Sequence, residues 1–268
     1  MNGLKEKEKL LEEILRDIGS AAAAFSAGVD SSFLVYKAHE VLGEKTAAVT
    51  VNAPSFPGRE LKEAEDFCIK YGIRHIVCEF DQLAVKGFAE NPPDRCYHCK
   101  KAIFAVIAKA AEDNGYEFVC EGSNVDDMSD YRPGLRAISE LGIRSPLREA
   151  GLTKSDIRAL SKEYGLPTWD KPSFACLASR VPYGDRITSE KLSMIDRAEQ
   201  KLSELGFRQY RVRVHGDIAR IELPGEDIPL MLSEDMRREI NSYFSELGFT
   251  FTALDLGGYK TGNMNRVL

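Results

Sequence analysis

Phe25-Ser26-Ala27-Gly28-Val29-Asp30-Ser31-Ser32 joins a short apolar run, Ala21 to Phe25, to a segment with helical periodicity, Ser31 to Leu42. A turn of small residues leading from a buried strand into a helix aims successive backbone N–H groups at one spot, with the positive end of the helix dipole behind them. Such a spot binds an anion. The hydroxyls of Ser26, Ser31 and Ser32 add donors. Asp30 would repel a bare phosphate, so its presence points to a divalent cation shared with the phosphates, and magnesium favours that mixture of oxygen ligands. The plainer reading is a small-residue turn after which Ser31 merely caps a helix. Two other nucleotide loops are excluded, because the chain has neither the GxxxxGKS/T spacing nor a strand-linked GxGxxG.

Outward from this loop the same scheme repeats. Lys45 to Val51, Arg74 to Cys78 and Tyr116 to Cys120 read as strands, and Glu60 to Tyr71 and Lys100 to Asn114 as helices. Strands that are apolar throughout, alternating with long helices, predict an α/β fold with a parallel sheet and helices on both faces. Functional groups then gather at the carboxyl ends of the strands. Val51 ends the second strand, ahead of Asn52 to Ser55, and Glu121-Gly122-Ser123-Asn124 follows a later one. Long loops run from Val85 to Cys99, Asp126 to Pro146 and Trp169 to Thr188, and their specific side chains argue for function rather than disorder. Thr153 to Tyr164 reads as a helix with Thr153 and Asp156 in a capping box. After Thr188 the pattern becomes helix, two strands joined at His215-Gly216-Asp217, helix and strand, which predicts a small α+β domain. The expected domains are therefore residues 1–185 and 186–268.

With 268 residues the chain is long enough to bury a sizeable core. A net charge of -6 argues against a general nucleic-acid binder, and the charged amphipathic stretch Leu4 to Ile18 is unlike a signal peptide. No run is long and apolar enough to span a membrane, and a cytoplasmic location is expected. Six cysteines in that compartment do not imply a disulfide framework. Cys68, Cys78 and Cys120 sit in apolar patterns and read as small buried hydrophobes.

Cys96, Cys99 and Cys176 occupy polar, turn-rich surroundings instead. The pair in Asp94-Arg95-Cys96-Tyr97-His98-Cys99-Lys100 precedes a helix and has three chemical meanings. One is a redox dithiol with a thiolate stabilised by the helix N-terminus. Another is half of a zinc site, which wants four ligands. The third is a 4Fe-4S cluster held by these two and a distant cysteine, with one iron left open. Cys176, in Lys171 to Arg180, supplies that third thiolate, and the third reading fits best.

Ser26 to Ser32 resembles the SGGxDS loop of the N-type ATP pyrophosphatases, the PP-loop superfamily, with Ala27 in place of the usual second glycine. A negative φ at that position tolerates the extra methyl group, and a positive φ makes it costly. The resemblance implies an adenine nucleotide alpha-hydrolase-like fold. It implies that ATP and Mg2+ bind at Ser26, Ala27, Gly28, Val29, Asp30, Ser31 and Ser32, near Val51 and Gly122. Asp30 and Ser31 would act in the chemistry, and Asp127 is either a second magnesium ligand or a surface cap. Asp130-Tyr131-Arg132-Pro133-Gly134, Pro172 to Gly184, Arg211-Val212-Arg213, Asp217 to Pro224 and Asp255 to Tyr259 carry a more specific likeness over nearly the whole chain. Together they are similar to the LarE-type ATP-dependent sulfur transferases of nickel-pincer nucleotide cofactor biosynthesis.

That likeness implies a small nucleotide-like carboxylate substrate, a pyridinium dicarboxylate mononucleotide, converted through an acyl adenylate to a thiocarboxylate. It also implies a homo-oligomer and an unidentified sulfur donor. Arg211 and Arg213, which alternate along one strand and so share a face, would bind the substrate phosphate. Some members sacrifice a cysteine matching Cys176, whereas members with cysteines matching Cys96 and Cys99 carry a 4Fe-4S cluster as the sulfur carrier. Lys100, Lys101 and Arg180 are expected to steady phosphates or anionic intermediates. A tRNA-thiolating enzyme and a non-catalytic ATP- or metal-binding protein are the alternatives.

Overall fold

The computed structural model describes residues 2–129, 133–260 and 262–263. Asp130, Tyr131 and Arg132 of the quoted segments lie outside the described residues. The chain divides into two compact units, Met1–Val85 with Cys96–Phe174, and Lys86–Arg95 with Ala175–Leu268.

The first unit opens with α1 (Asn2–Ile18) and β1 (Ala21–Ala24), continues through α2 (Val29–Leu42), β2 (Thr46–Asn52), α3 (Gly58–Tyr71) and β3 (Arg74–Glu79), and then takes up α4 (Arg95–Asp113) and β4 (Phe118–Cys120). It ends with α5 (Pro133–Glu140), α6 (Pro146–Glu149) and α7 (Lys154–Glu163). The four strands form one parallel sheet in the order β3-β2-β1-β4. β1 is four alanines at the centre of the sheet, and their small side chains let helices approach closely from both faces. Alternation along a strand divides them. Ala21 and Ala23 join the layer formed with Leu11, Leu15, Phe33 and Leu160, whereas Ala22 joins Phe104, Ile107 and Ala111 of α4. Each fully buried Leu or Phe in these layers contributes roughly 1.5–3 kcal/mol of transfer free energy. The doubly covered parallel sheet is the one expected from the alternating pattern.

The order β3-β2-β1-β4 has a physical consequence for function. Successive crossovers run outward from β1 to β3, and β4 returns to the opposite side of β1, so the chain reverses direction between β1 and β4. Loops leaving the carboxyl ends of two such neighbours diverge to opposite faces and leave a crevice. The loop Phe25 to Gly28 and the loop Glu121 to Asn124 leave those two strands. α7 starts as expected, with Thr153 Oγ1 accepting from the Asp156 N–H at 3.2 Å and the Asp156 carboxylate accepting from the Thr153 N–H at 3.1 Å.

The second unit contains α8 (Ser189–Glu204), β5 (Arg211–His215), β6 (Ile218–Glu222), α9 (Ile228–Met231), α10 (Glu234–Glu246) and β7 (Phe251–Leu254). β5 and β6 pair antiparallel around Gly216, whose φ of 62° suits a tight hairpin, and β7 adds in parallel beside β6. The helix-strand-strand-helix-strand order expected from the sequence is observed, with the short α9 as an addition. Two stretches read as irregular contain helix. α5 lies within Asp126 to Pro146, and α4 begins at Arg95, one residue after Pro92 and Pro93. No helix among the described residues is long and apolar enough to cross a membrane.

Candidate active site

The loop after β1 enters α2 through Gly28, a helix cap without a side-chain hydrogen bond. The first N–H groups of a helix have no intrahelical partner, so a cap without a side chain leaves them for an external acceptor. The hydroxyls of Ser26 and Ser31 lie 3.1 Å apart, and Ser31 Oγ also accepts from the Ser26 N–H at 3.3 Å. Ala27 has a φ of 52°, so the turn does adopt the left-handed conformation that favours glycine. Gly122, after β4, packs directly against this turn. A Cβ on it would lie 3.0 Å from the Ser31 backbone nitrogen and 3.2 Å from Ser31 Cα. The sequence-selected loop residues and Gly122 are thus brought together.

Asp30 points its carboxylate into the same corner. Its Oδ2 accepts from Lys154 Nζ at 2.5 Å, and its Oδ1 is buried without a hydrogen-bond partner. Burial pushes the Asp30 carboxyl above its usual range, Lys154 and the nearby Asn124 side chain oppose the shift, and the Asp127 carboxylate adds to it. The Asp127 carboxylate also accepts from the Asn124 N–H at 2.9 Å, a local turn-forming bond. An orphaned carboxylate oxygen with a second carboxylate in electrostatic reach matches the donor set of magnesium, which uses one or two carboxylates and completes its shell with phosphate and water.

Two lysines that the sequence reading missed also serve this loop. Lys154 is the first residue of α7, and Lys171 Nζ donates to the Ala27 carbonyl at 3.0 Å and to Glu63. Neither carries a local signal, since each reaches the loop from more than a hundred residues away in sequence. Val51 and Asn52 end β2 as expected, and Asn52 Nδ2 donates to the Glu79 carboxylate at 2.9 Å.

All the cysteines are free thiols. Cys68 and Cys120 are buried, and burial pushes each thiol up to about 12. Cys78 is half-buried and also raised by burial. Cys96 and Cys99 lie inside the first turns of α4 rather than in a loop before it. Their i,i+3 spacing then puts them on one helix face. Cys99 is buried and accepts from Gln82 Nε2 at 2.9 Å, Cys96 is half-buried, and Cys176 is exposed in the second unit. In kind and number these thiols suit an iron–sulfur cluster. Among the described residues, however, no group of three or more His, Cys, Asp or Glu side chains is arranged to hold a metal ion.

The second unit holds a buried arginine cluster. Arg180 makes a two-pronged ion pair with Glu199, both bonds 2.8 Å, and its remaining nitrogen donates to the carbonyls of Ala175 and Cys176 and to Ser179 Oγ. Its guanidinium therefore fixes the backbone around Cys176 instead of facing a phosphate, which corrects the sequence expectation. Lys101 likewise pairs with exposed Glu140 and Tyr97. Arg213 pairs with Glu222 at 2.6 and 3.0 Å and donates to the Ser179 carbonyl, while Arg211 packs against the Tyr259 ring. Arg211 and Arg213 are on one strand face as predicted, but that face is buried, not solvated. Burial, then the neighbouring Arg180, pulls the Arg211 guanidinium down to about 10. Arg220 bonds Asp255 and Glu222. Among the described residues of this cluster, Arg180, Arg211, Arg213 and Arg220 therefore outnumber the carboxylates of Glu199, Glu222 and Asp255 by one.

No protein-family model matches the chain. Pyridinium-3,5-bisthiocarboxylic acid mononucleotide synthase of Lactiplantibacillus plantarum is 38% identical over 271 residues, spanning 100% of this chain and 97% of that protein. The chain belongs to the LarE family. An uncharacterised protein of Synechocystis is 40% identical over 99% of both chains. A component of the glutamine-hydrolyzing GMP synthase of Pyrococcus furiosus is 28% identical over 80% of this chain and 79% of its own length, so LarE-family members and that synthase share the PP-loop ATP pyrophosphatase fold. In this LarE-family protein the segment that resembles the PP-loop is Ser26 to Ser32.

Proposed function

We propose that this protein is an ATP-using sulfur transferase that converts the carboxylates of pyridinium-3,5-biscarboxylic acid mononucleotide to thiocarboxylates through an acyl adenylate. The observation that carries the reading is the α2 N-terminus, uncapped by any side chain, beside a buried, half-satisfied Asp30. The full-length identity to the Lactiplantibacillus plantarum synthase supports the substrate. A carboxylate is a poor acyl donor because oxide is a poor leaving group. Adenylation replaces it with AMP.

The N–H groups at the start of α2 and the hydroxyls of Ser26 and Ser31 bind the β and γ phosphates and hold them in line with the attacking carboxylate. The same donors stabilise charge as it develops on pyrophosphate. Asp30 and Asp127 would hold magnesium, which neutralises phosphate charge when bound. Arg211 and Arg213, buried side by side on β5, would receive the substrate phosphate and orient its carboxylates. Cys96, Cys99 and Cys176 would hold a 4Fe-4S cluster, which would supply the sulfur-carrying chemistry. The exposure of Cys176 favours a second reading, in which Cys176 itself surrenders its sulfur.

The tests separate these steps. With ATP, magnesium and the dicarboxylate, pyrophosphate release is expected, and ATP binding without release would overturn the adenylation reading. Anaerobic purification with iron and acid-labile sulfide analysis is expected to find a cluster. Colourless protein after reconstitution, with dehydroalanine at position 176 by mass spectrometry, would replace the cluster with the sacrificial route.

A further inference from the structure

Asp30 is an acid built into an anion-binding loop, and its two oxygens have different fates. Oδ2 is neutralised by Lys154, whereas Oδ1 is buried without a hydrogen-bond partner. An unsatisfied buried carboxylate oxygen is costly to keep, and a cation arriving beside the phosphates would satisfy it. An ammonium and a divalent cation cannot crowd onto one partly buried carboxylate without strong mutual repulsion. Lys154 is also well placed to leave. The start of α7 is held by the Thr153–Asp156 box and by the Lys154 N–H donating to Asp126 at 2.8 Å, so neither anchor uses the lysine side chain. Lys171 differs, because its ammonium is tied to the Ala27 carbonyl and to Glu63.

We propose that Lys154 and the divalent cation are alternative counter-ions of Asp30. The lysine holds the carboxylate in the nucleotide-free protein. When the metal arrives with the polyphosphate, Lys154 releases Asp30 and turns its ammonium to the phosphate oxygens. Asp30 is then neutralised in both states, and the positive charge displaced from it meets the ligand's negative charge. A flexible four-carbon stem with three donors suits this exchange. The inference rests on the proposed pyrophosphate-binding role of the loop.

The test uses full-length protein without nucleotide. Mn2+ binding is followed by electron paramagnetic resonance and magnesium pyrophosphate binding by calorimetry, in wild type and in Lys154→Met, with circular dichroism confirming the fold. Loss of one charged hydrogen bond predicts changes of about tenfold in opposite directions, tighter for Mn2+ alone and weaker for magnesium pyrophosphate. A lysine with a merely structural role would weaken both. Equal or weaker Mn2+ binding by Lys154→Met overturns the proposal, and Lys154→Gln is read the same way if the methionine variant does not fold. Wild type that binds no magnesium pyrophosphate overturns the functional reading of the loop as well. Binding by wild type with no change in Lys154→Met removes only the exchange.

Discussion

Ala27 shows how a departure from a motif can be tolerated. Its φ of 52° strains an L-residue by roughly 1–2 kcal/mol. Its buried methyl group offsets about 0.8 kcal/mol of this, and alanine also restricts the unfolded chain by roughly 0.4–1 kcal/mol relative to glycine. The opposing effects nearly cancel. Ala27→Gly is therefore expected to change unfolding free energy by less than about 1 kcal/mol in urea titration, with pyrophosphate affinity retained. Gly122 is different, because its neighbours are backbone atoms of Asp30 and Ser31 that cannot rotate aside. Gly122→Ala should displace the start of α2 at a cost of about 1–3 kcal/mol and weaken magnesium pyrophosphate binding by at least about tenfold in calorimetry.

At the scale of elements, the pair Arg180–Glu199 ties the Cys176 loop to α8, and Glu199 also accepts from the Val212 N–H of β5 at 3.0 Å. Burial by itself would raise the Glu199 carboxyl, but Arg180, Arg211 and the hydrogen bonds outweigh it and hold the group below its usual range. A depressed acid contributes stability above its unfolded value of 4.5, and that contribution disappears as pH falls through the still lower folded value. Glu199→Gln leaves buried guanidinium charge uncompensated and should cost about 3–5 kcal/mol near neutrality. Its denaturation midpoint should also fall less steeply than that of wild type on acidification below 4.5, as followed by urea titration across pH. An equally steep acid loss in both proteins would show that Glu199 does not govern it.

For the whole molecule, the two proposed anion sites fall in different units, the PP-loop in the first and the arginine cluster in the second. Their binding energies should therefore separate. Arg211→Met is expected to leave magnesium pyrophosphate affinity within about twofold, because sites that share no partners act independently. The same variant should raise the KM for the phosphorylated dicarboxylate by about tenfold or more, the loss of one charge-assisted contact, in a pyrophosphate-release assay.

The parallel sheet, the capping box at Thr153 and the strand-strand hairpin at Gly216 were legible because each follows from local periodicity or turn chemistry. The PP-loop was legible for the same reason, since strand, turn and helix dipole are contiguous in the chain. The helical placement of Cys96 and Cys99 was not, because a loop rich in proline hides how soon a helix begins after it. Tertiary structure alone decided that Lys154 covers Asp30 and that Gly122 abuts the Ser31 backbone. It also decided that Arg180 serves Glu199 and the Cys176 carbonyl rather than a phosphate. Local sequence dictates what each segment is able to form. Which charges neutralise one another is settled by burial between segments far apart in the chain, where a carboxylate must find its cation once water is gone.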